Sequence, residues 1–432
     1  MDAVARFLDR LARNRSGFAV GVTSVCSAHP IVLDTAIRGA VATQDLLLVE
    51  ATCNQVNQNG GYTGLTPADF RDRLFAQAEA LGLPLDLLLL GGDHLGPNPW
   101  RKLPAEVAMG HARVLVAAFA AAGYRKLHLD ASMACGDEAD PLPPEIIAAR
   151  AADLCAVAEA AAASAGLPPP VYVIGTEVPT PGGAREAMDH LAVTRPEDVA
   201  HTLALHREAF SAGGLDAALS RAVAVVVQPG VEFGHEEVHD YRPESATTLI
   251  AALASHAGMV FEAHSTDYQR ADSLCALVAG HFAILKVGPE LTFALREAVF
   301  ALDAIAAECD PARSHGVRAT LDAAMRRDPS WWQDYFSPDD RIARAFSLSD
   351  RLRYYWPEPE VEAAMSGLMA DLSARPIPPT LVSQFLPAQY AAWRDGLLAL
   401  TPAELMRHRV GQVLVRYGAA TSAQTEADSS AR

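Results

Sequence analysis

No uninterrupted apolar stretch in the 432 residues approaches the roughly 18 that a membrane span requires. A membrane-embedded protein is therefore not expected. Positive charge is also scarce: 35 Lys and Arg stand against 52 Asp and Glu, a formal net charge of -17. Nucleic acid and anionic membranes are held by clustered Lys and Arg, so neither is an expected partner. The cysteines Cys26, Cys53, Cys135, Cys155, Cys275 and Cys309 never fall in a C-x-x-C spacing. That excludes the usual signs of a disulfide framework or thiolate zinc site and leaves small buried side chains. There is no G-x-x-x-x-G-K-[ST] loop and no protein-kinase catalytic set to hold ATP phosphates. No G-x-G-x-x-G loop for a nicotinamide cofactor follows any strand candidate. The opening "MDAVARFLDRLARNR" is amphipathic and lacks the apolar centre of a secretory signal, so it reads as the first helix of a cytoplasmic protein.

What the chain does have is apolar residues, half of the total, arranged in a countable alternation. Short β-rich runs begin near positions 18 ("FAVGVTSV"), 45 ("DLLLVEA"), 85 ("LDLLLLG"), 126 ("KLHLDAS"), 171 ("VYVIGTE"), 222 ("AVAVVVQPG"), 259 ("MVFEAHS") and 282 ("FAILKVGP"). Between them lie amphipathic segments such as "PADFRDRLFAQAEALG" and "EVAMGHARVLVAAFAAAG", with apolar residues at helical spacing and a Gly near the end. Eight strand-helix units predict a (β/α)8 TIM barrel, for which about 250 residues is typical. The boundaries expected are a barrel over 1–300, a helical C-terminal extension over 301–415 packed on it, and a small polar disordered tail over 416–432.

Each run ends in reactive or amide side chains: "SVCSAHP", "EATCNQVNQNGGYTG", "GGDHLGP", "LDASMACGD", "GTEVPTPGG", "QPGVEFGH", "EAHSTDYQ" and "KVGPELT". A barrel gathers these segments on one rim, its catalytic face. In "GGDHLGP" the flanking glycines imply a strand that is breaking up, which lets both Asp93 and His94 point into one mouth. His94 and His264 with a carboxylate, Glu232 or Glu177, suit zinc or another divalent first-row ion. Asp93 and the remaining Glu are the expected acid/base pair, beside a metal that polarises a carbonyl and stabilises an enediolate. Ser265, Thr266 and Lys286 follow strands seven and eight, where barrels often bind phosphate. Asn54, Gln55 and Asp130 join them as substrate-binding candidates, while His29 either takes part or simply orients a neighbour. The aromatic-basic clusters "WWQDYF" and "RLRYYWP" read mainly as core, with Arg351 or Arg353 as a phosphate clamp if that segment reaches the mouth.

The strings "NQVNQNGGYTGLTPADFR", "GGDHLGPNPW", "HLDASMACGD", "YVIGTEVPTPGG", "VVVQPGVEFGH", "EAHSTDYQ", "FAILKVGPELTFALREAVFAL" and "LSDRLRYYWP" resemble the tagatose-bisphosphate aldolase subunit Z family, also called GatZ/KbaZ, from about residue 18 to 357 and beyond. That family is itself similar to the zinc-dependent class II aldolases. The resemblance implies roles for Asp93 and His94 after strand three, Glu177 after strand five and a zinc ligand at His264. The remaining zinc His of the pattern has no counterpart at its aligned place in "QPGVEFGH"; Glu232 is the expected replacement and His235 the fallback. The family's members are described as stabilising subunits of a class II aldolase, as tagatose 6-phosphate kinases, or as 4-epimerases of tagatose 6-phosphate. Without an ATP loop the kinase fits worst. The expectation is a metal-dependent D-tagatose 6-phosphate 4-epimerase of galactitol and tagatose catabolism, acting by retro-aldol and aldol steps, with zinc the expected divalent metal. The alternative is a non-catalytic partner of a class II tagatose-bisphosphate aldolase. Either can form a homo-oligomer.

Overall fold

A computed structural model describes residues 1–176, 191–256, 258–311 and 315–422. Eight parallel strands close into a barrel: β1 Val22–Val25, β2 Leu47–Thr52, β3 Leu88–Leu95, β4 Lys126–Leu129, β5 Val171–Ile174, β6 Ala222–Val227, β7 Val260–Ala263 and β8 Phe282–Val287. Each pairs with its sequence neighbours and β8 returns to β1, as the strand count predicted. Between β6 and β7 a two-stranded antiparallel ribbon pairs Glu232 with His239.

Side chains alternate along a strand, so every second residue faces the lumen. Read upward, the lumen is built in layers. At the bottom Val22, Leu48, Leu89, Val173, Val260 and Ile284 pack together, and the first helix, Ala3–Arg15, seals that end with Phe7 and Leu11. Two residues further up the same strands stand Ser24, Glu50, Glu262 and Lys286, joined by Lys126 of β4. Another step along β4 and β7 brings His128 and His264. The apolar, charged and imidazole layers thus follow from a period of two.

The helical segment beyond 300 returns to the barrel. Its last helix, Pro402–Thr421, lodges against the helices Pro30–Thr43, Ala271–Ala279 and Pro289–Cys309 and against β1. The Gly21 amide donates to the Thr421 carbonyl. The expected tail from 416 is therefore helical to Thr421, and residues 423–432 lie outside the described residues. Among the described residues no helix is long and apolar enough to cross a membrane.

Candidate active site

The top of β3 explains how neighbours reach one mouth. The pairing of β3 with β4 slips between Gly92 and Leu95, and His94 takes the left-handed φ of 48°. That bulge re-aims His94 onto the side that Asp93 faces. Gly96 is obligatory just beyond, because a Cβ there would stand 1.7 Å from the Asp130 carbonyl oxygen.

Three buried imidazoles meet above the charged layer. Ring centroids are 4.8 Å apart for His94 and His264, 5.1 Å for His94 and His128, and 5.0 Å for His128 and His264. Each is tied by one nitrogen to a carboxylate: His94 Nδ1 to Asp130 at 2.8 Å, His128 Nδ1 to Asp93 at 3.0 Å, and His264 Nε2 to Glu262 at 2.9 Å. This leaves one nitrogen of each ring uncommitted, and His128 Nε2 is buried without a hydrogen-bond partner. Ligand atoms of Asp93, His94, His128 and His264 lie within 4.8 Å of one another. A carboxylate behind each imidazole fixes tautomer and ring orientation, the arrangement metal-binding histidines use.

The charge beneath favours a cation. Lys126 Nζ sits 2.7 Å from both Glu50 and Glu262, and Lys286 Nζ lies 2.9 Å from Glu50 and 2.7 Å from Asp93. Counting Asp130, four carboxylates face two ammonium groups, a formal -2 before the imidazoles are counted; burial opposes the charged form of His94, but Asp93 and Asp130 outweigh it and raise its pKa. Burial opposes the anionic form of Asp93, but His94, Lys286 and His128 outweigh it and hold its carboxyl well below the usual range. Burial likewise opposes the charged form of Lys286, yet Asp93, Glu50 and Glu262 keep it protonated. His264 goes the other way, pushed down to about 3 chiefly by burial, which favours the neutral imidazole that a metal needs.

Over residues 7–422 the sequence matches the family described as D-tagatose-1,6-bisphosphate aldolase subunit GatZ/KbaZ-like. The chain belongs to that family. A crystal structure described as a probable tagatose 6 phosphate kinase from Sinorhizobium meliloti 1021 is 49% identical, with a TM-score of 0.85, covering 93% of this chain and 100% of that one. Looser likenesses, at 13% identity, are to a fructose-bisphosphate aldolase from Campylobacter jejuni (TM-score 0.41; 86% of this chain, 93% of that one) and a fructuronate-tagaturonate epimerase from Cohnella laeviribosi (TM-score 0.46; 94% and 82%). At that distance neither bears on the chemistry.

In this GatZ/KbaZ-like chain, Asp93, His94, His264, Ser265, Lys286, Asn54, Gln55 and Arg353 all line one cleft. Glu232 does not join the imidazoles. Its carboxylate accepts the Phe233 amide in the ribbon after β6, and burial pushes it up to about 7. His128 occupies the place in the group expected of Glu232. His235 turns away, to Ser347 and the ring of Phe336. Asp130, expected at substrate, instead orients His94 and accepts from Ser132. Thr266 is buried in the wall, where its hydroxyl donates to the Lys286 carbonyl. Next to the segments expected to receive phosphate, the amides of Gly288 and Glu290 already donate to Asp267, whose carboxyl burial pushes up to about 7. Gln55 braces the rim loops by donating to the Cys26 carbonyl. His29 accepts the Ile31 amide as a helix cap, so its role here is to orient the chain. Glu177 lies outside the described residues.

Reading the sequence missed His128, Glu50, Lys126 and Glu262. The available signal was charge inside otherwise apolar runs, in "LLLVEA", "KLHLD" and "VFEAH". A fully buried ionisable residue is rare unless paired, so several such residues on different strands point to a shared lumen network.

Proposed function

We propose that this chain is a metal-dependent 4-epimerase interconverting D-tagatose 6-phosphate and D-fructose 6-phosphate through carbon-carbon cleavage. The observation that carries the reading is the trio of carboxylate-tethered imidazoles, His94, His128 and His264, whose remaining nitrogens converge over a layer of net negative charge. Three neutral nitrogens with further positions open to ligand suit a catalytic divalent ion such as zinc. Such an ion, when bound, supplies Lewis-acid polarisation of the ketose carbonyl.

The chain's own groups supply the rest. Asp93, kept anionic between Lys286 and His128, orients the latter and balances charge. This fits it less well to the proton-carrying role expected from sequence; Glu177 remains the proposed second carboxylate. Arg353, a guanidinium lining the same cleft as Ser265 and Gly288, is the proposed phosphate ligand through the edge it does not give to the Ser349 and Asp350 carbonyls and the Tyr354 hydroxyl. Lys286 is committed to Asp93 and Glu50, and contributes through them.

A second reading, a stabilising partner of a class II aldolase, draws on the family's description as a subunit. The helix Ala105–Ala121 also exposes Val107 and Val114 one heptad apart. One assay separates the two. The purified chain is given tagatose 6-phosphate with and without chelator. Chelator-sensitive formation of fructose 6-phosphate is expected; no turnover, joined to activation of an added class II aldolase, would replace the first reading by the second.

A further inference from the structure

Carbon-carbon cleavage at C3–C4 requires a group that takes the O4 proton and can give it back. The Asp93 carboxylate is already engaged, held by His128 Nδ1 at 3.0 Å and Lys286 Nζ at 2.7 Å. The short helical turn Arg351–Tyr355 brings a different group to the cleft. Tyr354 lines the wall shared by the imidazole cleft and the neighbouring groove. Its ring is fixed, stacked on Trp331 at 4.4 Å with planes 5° apart and edge-on to Tyr62 at 4.8 Å. Its hydroxyl oxygen accepts from two buried guanidinia, Arg351 Nη1 at 3.1 Å and Arg353 Nη2 at 3.0 Å. The hydroxyl's own proton is given to no acceptor among the described residues.

Two positive charges aimed at one phenol oxygen stabilise its anion. Burial raises the phenol, but Arg353 and Arg351 outweigh it and bring Tyr354 below the usual tyrosine range. A ring locked by stacking, an oxygen flanked by guanidinia and a proton with no acceptor among the described residues make a proton carrier rather than a packing residue.

We propose that Tyr354 is the proton carrier at the C4 hydroxyl, a role that rests on the epimerase reading above. The phenolate takes the O4 proton as the O–H pair becomes the C4 carbonyl bond. The C3–C4 pair becomes a C2–C3 double bond, and the C2 carbonyl pair passes to its oxygen. After the aldehyde has turned, the electrons flow back, C3–C4 re-forms on the other face, and the Tyr354 hydroxyl returns the proton to O4. Atoms, charge and oxidation state balance without a redox partner.

The test compares wild type with Y354F and with a fluorotyrosine at position 354, the latter altering acidity while keeping the oxygen and its two arginine contacts. For Y354F we expect kcat to fall about 10²–10³-fold, the range for a lost acid/base group. Metal content should be unchanged, with KM and calorimetric affinity for a hexitol phosphate within about threefold. Fluorotyrosine should change kcat at least about threefold with KM unmoved, a response that a purely structural hydroxyl would not give. It also serves if Y354F does not fold. Y354F turnover within about threefold of wild type, or kcat indifferent to fluorination, overturns the proposal alone. An inactive wild type overturns the epimerase reading and this proposal with it.

Discussion

His128 illustrates how a ligand is made at the level of one residue. Asp93 holds its Nδ1, and its Nε2 is left buried and unpartnered. Elemental analysis of H128A should show metal lost while the melting transition persists, because the ring sits on the lumen's upper layer rather than in the packed wall. D130N keeps the shape but weakens the tether on His94, and should cost about 10–100-fold in metal affinity, the usual effect of losing such a partner. Metal retained at full stoichiometry in H128A would contradict the assignment. Glu232 makes a separate, pH-linked prediction. Its folded pKa of about 7 stands above the ordinary 4.5, so the native state binds the extra proton and Glu232's contribution is complete below pH 4.5. That contribution declines as pH rises to 7, by about 3 kcal/mol at 1.36 kcal/mol per unit. Melting curves of E232Q should lose this part of the pH dependence; an unaltered profile would disprove the burial argument.

At the scale of elements, strands carry both the fold and the site. All eight were legible, because a parallel barrel buries both strand faces and leaves continuous apolar runs bounded by turn residues. The same double burial concealed which face looks into the lumen. Lys126 and His128 share a face by period two, but the alternation alone does not say whether that face meets helices or lumen. The answer comes from closure, which sets Lys126 between Glu50 and Glu262 from two other strands. K126M should therefore cost about 3–5 kcal/mol in a denaturant titration, since it takes a buried cation from two buried carboxylates, leaving Glu50 to Lys286 and Glu262 to His264. A loss below about 1 kcal/mol, the scale of a surface pair, would refute that. The bulge in β3 was foreshadowed by the glycines around Asp93 and His94. The replacement of Glu232 by His128 was not, because the ribbon that carries Glu232 aside has no apolar run to announce it.

Across the whole molecule the chain closes on itself. The helix Pro402–Thr421 buries Leu405, Met406, Val410, Val413 and Tyr417 against the ring, and the Tyr417 hydroxyl donates to the Thr266 carbonyl beneath the site. Sequence alone predicted an extension packed on the barrel; where its last helix docks depends on long-range packing that no local pattern encodes. Burying five such side chains at about 1.5–3 kcal/mol each is comparable with an entire domain's net stability of about 5–15 kcal/mol. A chain ending at residue 400 should show no cooperative melt, and a sharp one would contradict the closure. The Arg351–Tyr355 turn packs on the helices Pro289–Cys309 and Val317–Arg327, beside a rim whose imidazoles come from three strands. The central claim, inversion at C4 by cleavage on that rim, is tested most directly by following tagatose 6-phosphate epimerisation in heavy water. The hydrogen on C4 is not acidic, so cleavage and re-addition should leave it in place. Fructose 6-phosphate that keeps its original C4 hydrogen agrees with the account; solvent deuterium entering C4 in step with epimerisation contradicts it.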